Sequence, residues 1–251
     1  VSILIESSSD MRVTEKRIVT VLNKKGNNHV DAEVYYDENI KIKELQVLIF
    51  DASGNQINKI KQKDFKDVSA VDGGTLYSDS RVKYLEYTPI SYPYTVEFTT
   101  EITNKNTAFI PSFMPLNSYF ISVQNSSYII KYPFDFTIRS KKKNLESIDL
   151  NIEKNEGVMS YELKNIGALK PEQYSPPLRE LLPVILFASN EFQYEGVNAK
   201  VNDWNSMGKW FNDNLLSGRS RVNEETKNKV LELVKSVDDP IERAKLIYKY
   251  V

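Results

Sequence analysis

Cysteine and histidine carry much of the nucleophilic and metal chemistry of proteins, and this 251-residue chain has no Cys and a single His, His29. A thiolate nucleophile, a thiolate zinc site and a disulfide are therefore excluded. With one imidazole, a His-rich metal site is excluded as well, and His29 reads as an ordinary surface or structural histidine. The sequence accordingly predicts no catalytic residue, no metal ligand and no cofactor. Redox compartment stays undetermined, since a Cys-free chain is stable inside or outside a cell.

Other side chains could bind rather than react. Tyr87, Tyr92 and Tyr94 cluster with Phe109, Phe113, Tyr119 and Phe120, in a chain with 15 Tyr and 11 Phe. Aromatic platforms bind sugars and peptides, and a Tyr hydroxyl suits a site with one wet end. Tyr87, Tyr92, Tyr94, Phe113 and Tyr119 are therefore the candidate ligand-binding residues. The competing reading is a core with cross-strand aromatic pairs. Asp51, Ser53 and Asn55 have the oxygen spacing that opens a calcium loop. Gln56 and Gln62 then stand where that loop needs Gly and Glu, so a hairpin turn is expected. Arg139, Lys141, Lys142 and Lys143 form the densest basic cluster, which reads as a solvated turn or an anion contact. Asp37-Glu38 and Asp238-Asp239 are adjacent carboxylates, which supplies none of the facing geometry of a glycosidase pair.

The elements that must position these groups are mostly strands. The stretch Val82–Phe98 alternates at Val82, Tyr84 and Tyr87, then at Tyr94, Val96 and Phe98, with Pro89 and Pro93 between. Alternation marks half-buried strands, and the prolines cannot donate to a ladder. A central hairpin is expected here. Further strands are expected at Ser2–Glu6, Arg12–Leu22, His29–Tyr36 after a turn at Asn23–Asn28, Ile40–Phe50, Tyr128–Tyr132, Phe134–Ile138, Leu145–Ile152, Val158–Leu163 and Leu181–Tyr194. Gly73-Gly74 marks a loop. Many short strands with polar turns predict a mainly β chain, an antiparallel two-layer sandwich over residues 1–196.

From residue 197 to 251 the period changes to that of helices. Trp204, Met207, Phe211 and Leu215 share one helical face, with Gly218 as its stop. Val230, Leu233, Val234 and Val237 mark a second helix. Asp239, Pro240 and Glu242 give a third its N-cap, first position and capping-box partner. Its stripe runs to Val251 without a stop signal, so a longer protein is expected beyond it. Val1 in place of Met is equally consistent with a leader removed or left out.

Hydrophobic residues make up 41% of the chain, enough for a sizeable core, and the formal net charge is −1. That charge argues against a general nucleic-acid binder. The longest apolar run, Leu181–Ala188, is far shorter than the roughly 20 residues of a membrane span and contains Pro183.

The runs RVKYLEYTPISYPYTVEFTTEI, SFMPLNSYF, YSPPLRELLPVILFASNEFQYEG and WNSMGKWF carry a family resemblance. Over Tyr35–Leu216 the chain resembles the amino-terminal domain of unknown function that precedes transglutaminase-like domains in bacterial cell-envelope proteins. DDPIERAKLIYKYV is similar to the entry helix of that papain-related fold. The resemblance implies a β-sandwich, a periplasmic or cell-surface location and a downstream transglutaminase-like domain in the same polypeptide. The nucleophile of that family lies beyond this helix, so no catalytic residue carries over. Three functions stay open: an accessory domain positioning a peptide or polysaccharide substrate, a carbohydrate-binding module, and a structural spacer or protein-interaction domain.

Overall fold

In the computed structural model, residues 1–71, 78–146, 148–219 and 221–250 are described. The expected loop at Gly73-Gly74 and the last stripe position, Val251, lie outside them. The described chain is mainly β. In order it runs β1 (Ser2–Ser7), β2 (Asp10–Val21), a 3-10 helix (Lys24–His29), β3 (Ala32–Tyr36), β4 (Ile40–Phe50), β5 (Gln56–Lys61) and β6 (Lys66–Ser69). Next come β7 (Arg81–Leu85), β8 (Tyr94–Asn104), β9 (Val123–Lys131), β10 (Ile138–Lys143), β11 (Leu150–Asn155) and β12 (Val158–Ile166). A single helical turn, α1 (Leu178–Leu181), precedes β13 (Val184–Ser189), β14 (Glu191–Tyr194) and β15 (Val197–Lys200).

Eight strands form one sheet in the order β11-β12-β9-β1-β2-β8-β4-β5. Three smaller sheets are β3-β7-β6, β10-β13 and β14-β15. At the centre, β2 pairs with β8 from Met11↔Asn104 to Val21↔Tyr94, and β8 pairs with β4 on its other side. One face of β8 is apolar: Tyr94, Val96 and Phe98 are buried. The other is polar, with Glu97 paired to Lys16 at 3.0 Å and Glu101 to Arg12 at 3.6 Å.

The apolar face serves two cores. On β2, Met11 and Val13 pack with Ile3, Ile130, Tyr161 and Leu163. Val21, on the same face at the other end, packs with Val47, Ile49, Val96 and Phe98, and Ile102 touches both clusters. The first core is closed by Ile138 of β10 and Ile185 and Phe187 of β13. The second is closed by Ala32 and Val34 of β3 and Leu85 of β7.

Several expectations need correction. Phe134–Ile138 is not a strand but a turn, with the Phe136 N–H on the Pro133 carbonyl at 3.0 Å and β10 starting only at Ile138; the strand expected from Leu145 starts at Leu150. Val82–Phe98 is not a hairpin, because β7 pairs with β3 and β6 while β8 enters the large sheet. The prolines between them prevent a tight two-strand turn. The large sheet is not wholly antiparallel: β1 pairs with β9 in parallel, Ser2 opposite Ile129. The long chain between them provides the crossover that a parallel pair requires. Arg139–Lys143 is not a turn but part of strand β10, paired with β13 from Ile138↔Ser189 to Lys143↔Val184. Lys24–His29 is a 3-10 helix capped by the Asn23 side chain on Lys25 N at 3.0 Å, so the next strand starts only at Ala32. By contrast, the hairpin turn at Asp51–Asn55 forms as expected. The Asp51 carboxylate accepts the Ser53 and Asn55 backbone N–H at 2.8 and 2.9 Å, and Gly54 takes φ +83°.

The chain divides into two compact units, Val1–Lys200 and Val201–Val251. The Glu195-Gly196 turn lies within the β14–β15 hairpin of the first unit. In the second, α2 (Trp204–Phe211) starts on an Asp203–Ser206 capping box and continues as a π-helical turn, Asn212–Leu216. Helices α3 (Glu224–Val234) and α4 (Pro240–Tyr250) follow, with Asn223 and Asp239 accepting the Thr226 and Ile241 N–H at 2.7 and 2.9 Å. Of the expected α2 stripe, Leu215 is buried while Trp204 is 89% exposed.

Ile130 is fully buried in the first core, and Ile18 on β2 is 59% exposed. Ile130→Ala is expected to cost about 3 kcal/mol, by lost burial plus a cavity. Ile18→Ala is expected to stay within about 0.5 kcal/mol. Urea denaturation of the two variants checks this ordering.

Candidate functional site

The 3-10 helix presents Asn27 to the end of β8. The Tyr92 and Tyr94 hydroxyls both donate to Asn27 Oδ1, at 3.0 and 3.1 Å, and Asn27 Nδ2 lies 2.8 Å from the Tyr92 oxygen. The rings pack as a row: Tyr87 to Tyr94 at 5.8 Å and Tyr92 to Tyr94 at 5.7 Å, each tilted by 55°. Burial is graded along it. Tyr94 is 2% exposed, Tyr87 half-buried and Tyr92 37% exposed. Burial, reinforced by the neighbouring hydroxyls of Tyr92 and Tyr87 and by Asp31, pushes the Tyr94 hydroxyl up to about 12. It stays neutral and keeps its proton for the hydrogen bond to Asn27 Oδ1.

Beside the tyrosines is a recess lined by Asn27, Val30, Asp31, Leu85 and Tyr87, of about 30 Å³, room for a single water. Asp31 and Leu85 also line a wider cleft of about 210 Å³, with Glu33, Val82, Tyr84 and Glu86. Drug-sized ligands occupy pockets of about 300–1,000 Å³. This cleft fits one side chain or one sugar ring. Its character is aromatic and acidic. Lys66 offsets Glu86 at 2.6 Å, and its ammonium lies 5.7 Å from the Tyr84 ring centre.

Of the five aromatic residues singled out, Tyr87, Tyr92 and Tyr94 therefore come together. Phe113 and Tyr119 do not join them. Phe113 is 3% exposed in the first core, 5.3 Å from the Tyr128 ring, and its backbone bridges Ile185. Tyr119 is half-buried beside the exposed Phe120, at 6.5 Å. His29 ends the 3-10 helix and hydrogen-bonds no described side chain, so neither hydroxyl nor carboxylate completes a triad around it. Among the described residues no group of three or more His, Asp or Glu is placed to hold a metal ion. No described helix is long and apolar enough to cross a membrane.

Two features escaped the sequence. Asn27 is an unremarkable residue in a polar turn until the fold sets it against two tyrosines. The other is a charged knot on the β3-β7-β6 sheet. Asp67 accepts from Lys83 at 2.8 Å, from Tyr36 at 2.8 and 2.9 Å, and from Arg81 Nε at 3.0 Å. Register makes it, since Asp67 sits opposite Lys83, and Arg81 opposite Tyr36. Hydrogen bonds from Lys83 first, then Tyr36 and Arg81, hold the Asp67 carboxyl at about 2, below its ordinary 3.8.

A family model described as a domain of unknown function with a solved structure, DUF3857, matches residues 7–170. The chain belongs to the DUF3857 family. Within it, the matched span contains the tyrosine row, Asn27, the acidic cleft and the Asp67 knot. No curated protein matches the chain. A solved structure from Parabacteroides distasonis, described as a "putative protease", is similar with a TM-score of 0.70 and 14% identity. The match covers 99% of this chain and 48% of that one, so this DUF3857 chain spans about half the length of that protein. At this identity the likeness speaks for the fold.

A carboxyl held low contributes stability above its unfolded-state value, and that contribution is lost as pH falls through its folded value. For Asp67 the window is about pH 4 to pH 2. Asp67→Asn should lower the melting temperature at neutral pH and flatten its fall across that window. Thermal melts of parent and variant at both ends of the window check the sign.

Proposed function

We propose that the chain is a non-catalytic accessory domain that binds and orients a peptide substrate for a transglutaminase-like module of a larger cell-envelope protein. The observation that carries this reading is the tyrosine row on Asn27 beside the cleft. It offers an exposed ring at Tyr92, fixed by its hydrogen bonds to Asn27, and a cleft sized for one side chain. The carboxylates of Asp31 and Glu33 favour a peptide with a basic side chain over a neutral sugar.

Two further facts support it. The chain has no Cys and one His, so the chemistry of a papain-related scaffold has to come from elsewhere. It also matches about half of a larger protein described as a protease, which suits a domain that assists a separate catalytic one. In this reading the small sheets form the second layer of a β-sandwich over the large one. The helices of Val201–Val251 begin the transglutaminase-like region, and the location is periplasmic or at the cell surface.

A second reading, a carbohydrate-binding module, has the exposed Tyr92 ring in its favour. Calorimetric titration with basic, acidic and neutral peptides and with neutral oligosaccharides separates the two. The expected result is saturable binding of basic peptides, weakened about tenfold by Tyr92→Ala and unchanged by Phe120→Ala, an exposed ring elsewhere. Preference for the oligosaccharides would favour the module, and equal binding by the Tyr92 variant would remove the site. The purified chain should hydrolyse or crosslink no peptide. Turnover with clean blanks would overturn the accessory role.

A further inference from the structure

The basic cluster at residues 139–143 becomes a different object once it is a strand. Four of the six residues of β10 are cations: Arg139, Lys141, Lys142 and Lys143. Ile138 is buried, and Ser140 is opposite Phe187, which stacks on Tyr128. By the two-residue period of a strand, Arg139, Lys141 and Lys143 therefore project together from the opposite, outer face. Their spacing is about 6.6–6.8 Å, twice the rise per strand residue.

This row is unneutralised. Several cations on other strands take carboxylate partners, as in Lys16–Glu97, Lys83–Asp67 and Lys200–Glu191, and others such as Lys41, Lys59 and Lys131 take none; β10 differs in carrying four unpaired cations in six residues. Among the described residues no carboxylate oxygen lies within 4.0 Å of Arg139, Lys141, Lys142 or Lys143. The cross-strand neighbours of the row on β13 are Ala188, Leu186 and Val184. Blunting a free sheet edge explains a lysine on such a strand. It does not explain three cations in line on one face with no acid opposite.

The strand is also tied down at both ends. Asn190 Oδ1 accepts the Thr137 N–H at 3.1 Å, and the Asn144 amide donates to the Glu180 and Leu182 carbonyls at 2.6 and 3.0 Å. Among the described strands β10 pairs only with β13, which leaves its outer edge open.

We propose that the outer face of β10 binds a linear anionic polysaccharide, its charged groups lying along Arg139, Lys141 and Lys143. A line of fixed cations complements a linear polyanion, whereas a lipid surface presents a plane of charge. Beside the row Val184 and Ala188 are half-buried and Leu186 is 41% exposed, so one apolar side chain is all that β13 offers to acyl chains. No aromatic ring occupies the outer positions of β10 and β13, so the base stacking that supports single-stranded nucleic-acid binding is missing. The site is separate from the tyrosine cleft and does not depend on the accessory role.

The test is calorimetric titration of the whole chain with heparin and polygalacturonate as probes. Neutral dextran, poly-dT and phosphatidylglycerol vesicles serve as comparators. Saturable binding of at least one acidic polysaccharide, weakening as salt is raised, is expected. The double variant K141E/K143E should lose at least tenfold in affinity and show a shallower salt dependence. K63E/K154E, which changes net charge equally on exposed sites elsewhere, should bind like the parent. Matching melting temperatures establish that both variants fold; if K141E/K143E does not, Lys141→Gln and Lys143→Gln singly replace it. No binding of either acidic probe overturns the proposal. So does equal loss in the two double variants, or tighter binding to dextran, poly-dT or vesicles.

Discussion

Everything in the β unit depends on one alternation being kept in step across β2 and β8. Their register runs unbroken from Met11↔Asn104 to Val21↔Tyr94, so every second side chain of both strands points to the same face. That face is long enough to be covered twice. Met11 and Val13 close against Tyr128, Ile130 and Ile185, and Val21 closes against Val47, Val96 and Phe98. A slip of one residue would turn both sets to solvent together. The polar reverse face, with Lys16–Glu97 and Arg12–Glu101, opposes the same slip, which would take those charges away from water.

The candidate sites sit where this alternation ends or turns outward. The tyrosine row continues the apolar face of β8 past its last ladder pair, so Tyr94 is core and Tyr92 is surface within one hydrogen-bonded group. Asn27 can serve both hydroxyls because a 3-10 turn fills the space between β2 and β3. The cationic row of β10 is the outer side of the same strand whose inner side closes the first core. In both places a binding surface is obtained from the back or the end of an element that folding already requires.

Local signals in the sequence were legible where a single strand decides the outcome. Ile40–Phe50 and the Asp51–Asn55 turn follow from alternation and turn chemistry, and the structure has both. Signals that depend on a partner were not. Val82–Phe98 reads as a hairpin from inside, and only pairing partners elsewhere send β7 and β8 to different sheets. Arg139–Lys143 has a turn's composition because its outward residues face water, while of the alternate positions Ile138, Ser140 and Lys142 only Ile138 is apolar, too few to show the period. Aromatic clustering drew attention to Tyr92 and Tyr94, but composition could not separate them from Phe113, which lies in the first core. Asp67 carried no signal at all, since its partners come from β3 and β7.

The parallel pairing of β1 with β9 also sets an order of events during synthesis. The β1–β2 hairpin is local and can form as soon as its residues are available. The other edge of β1 has no partner until Ile129–Lys131 has been made, on the order of ten seconds later at ordinary elongation rates. Through that interval a strand as apolar as Ile3, Leu4 and Ile5 exposes open ladder groups on the nascent chain. The polypeptide thus passes through a sticky half-built sheet before it can complete the first core, and a molecule that shields nascent chains has most to protect in that interval.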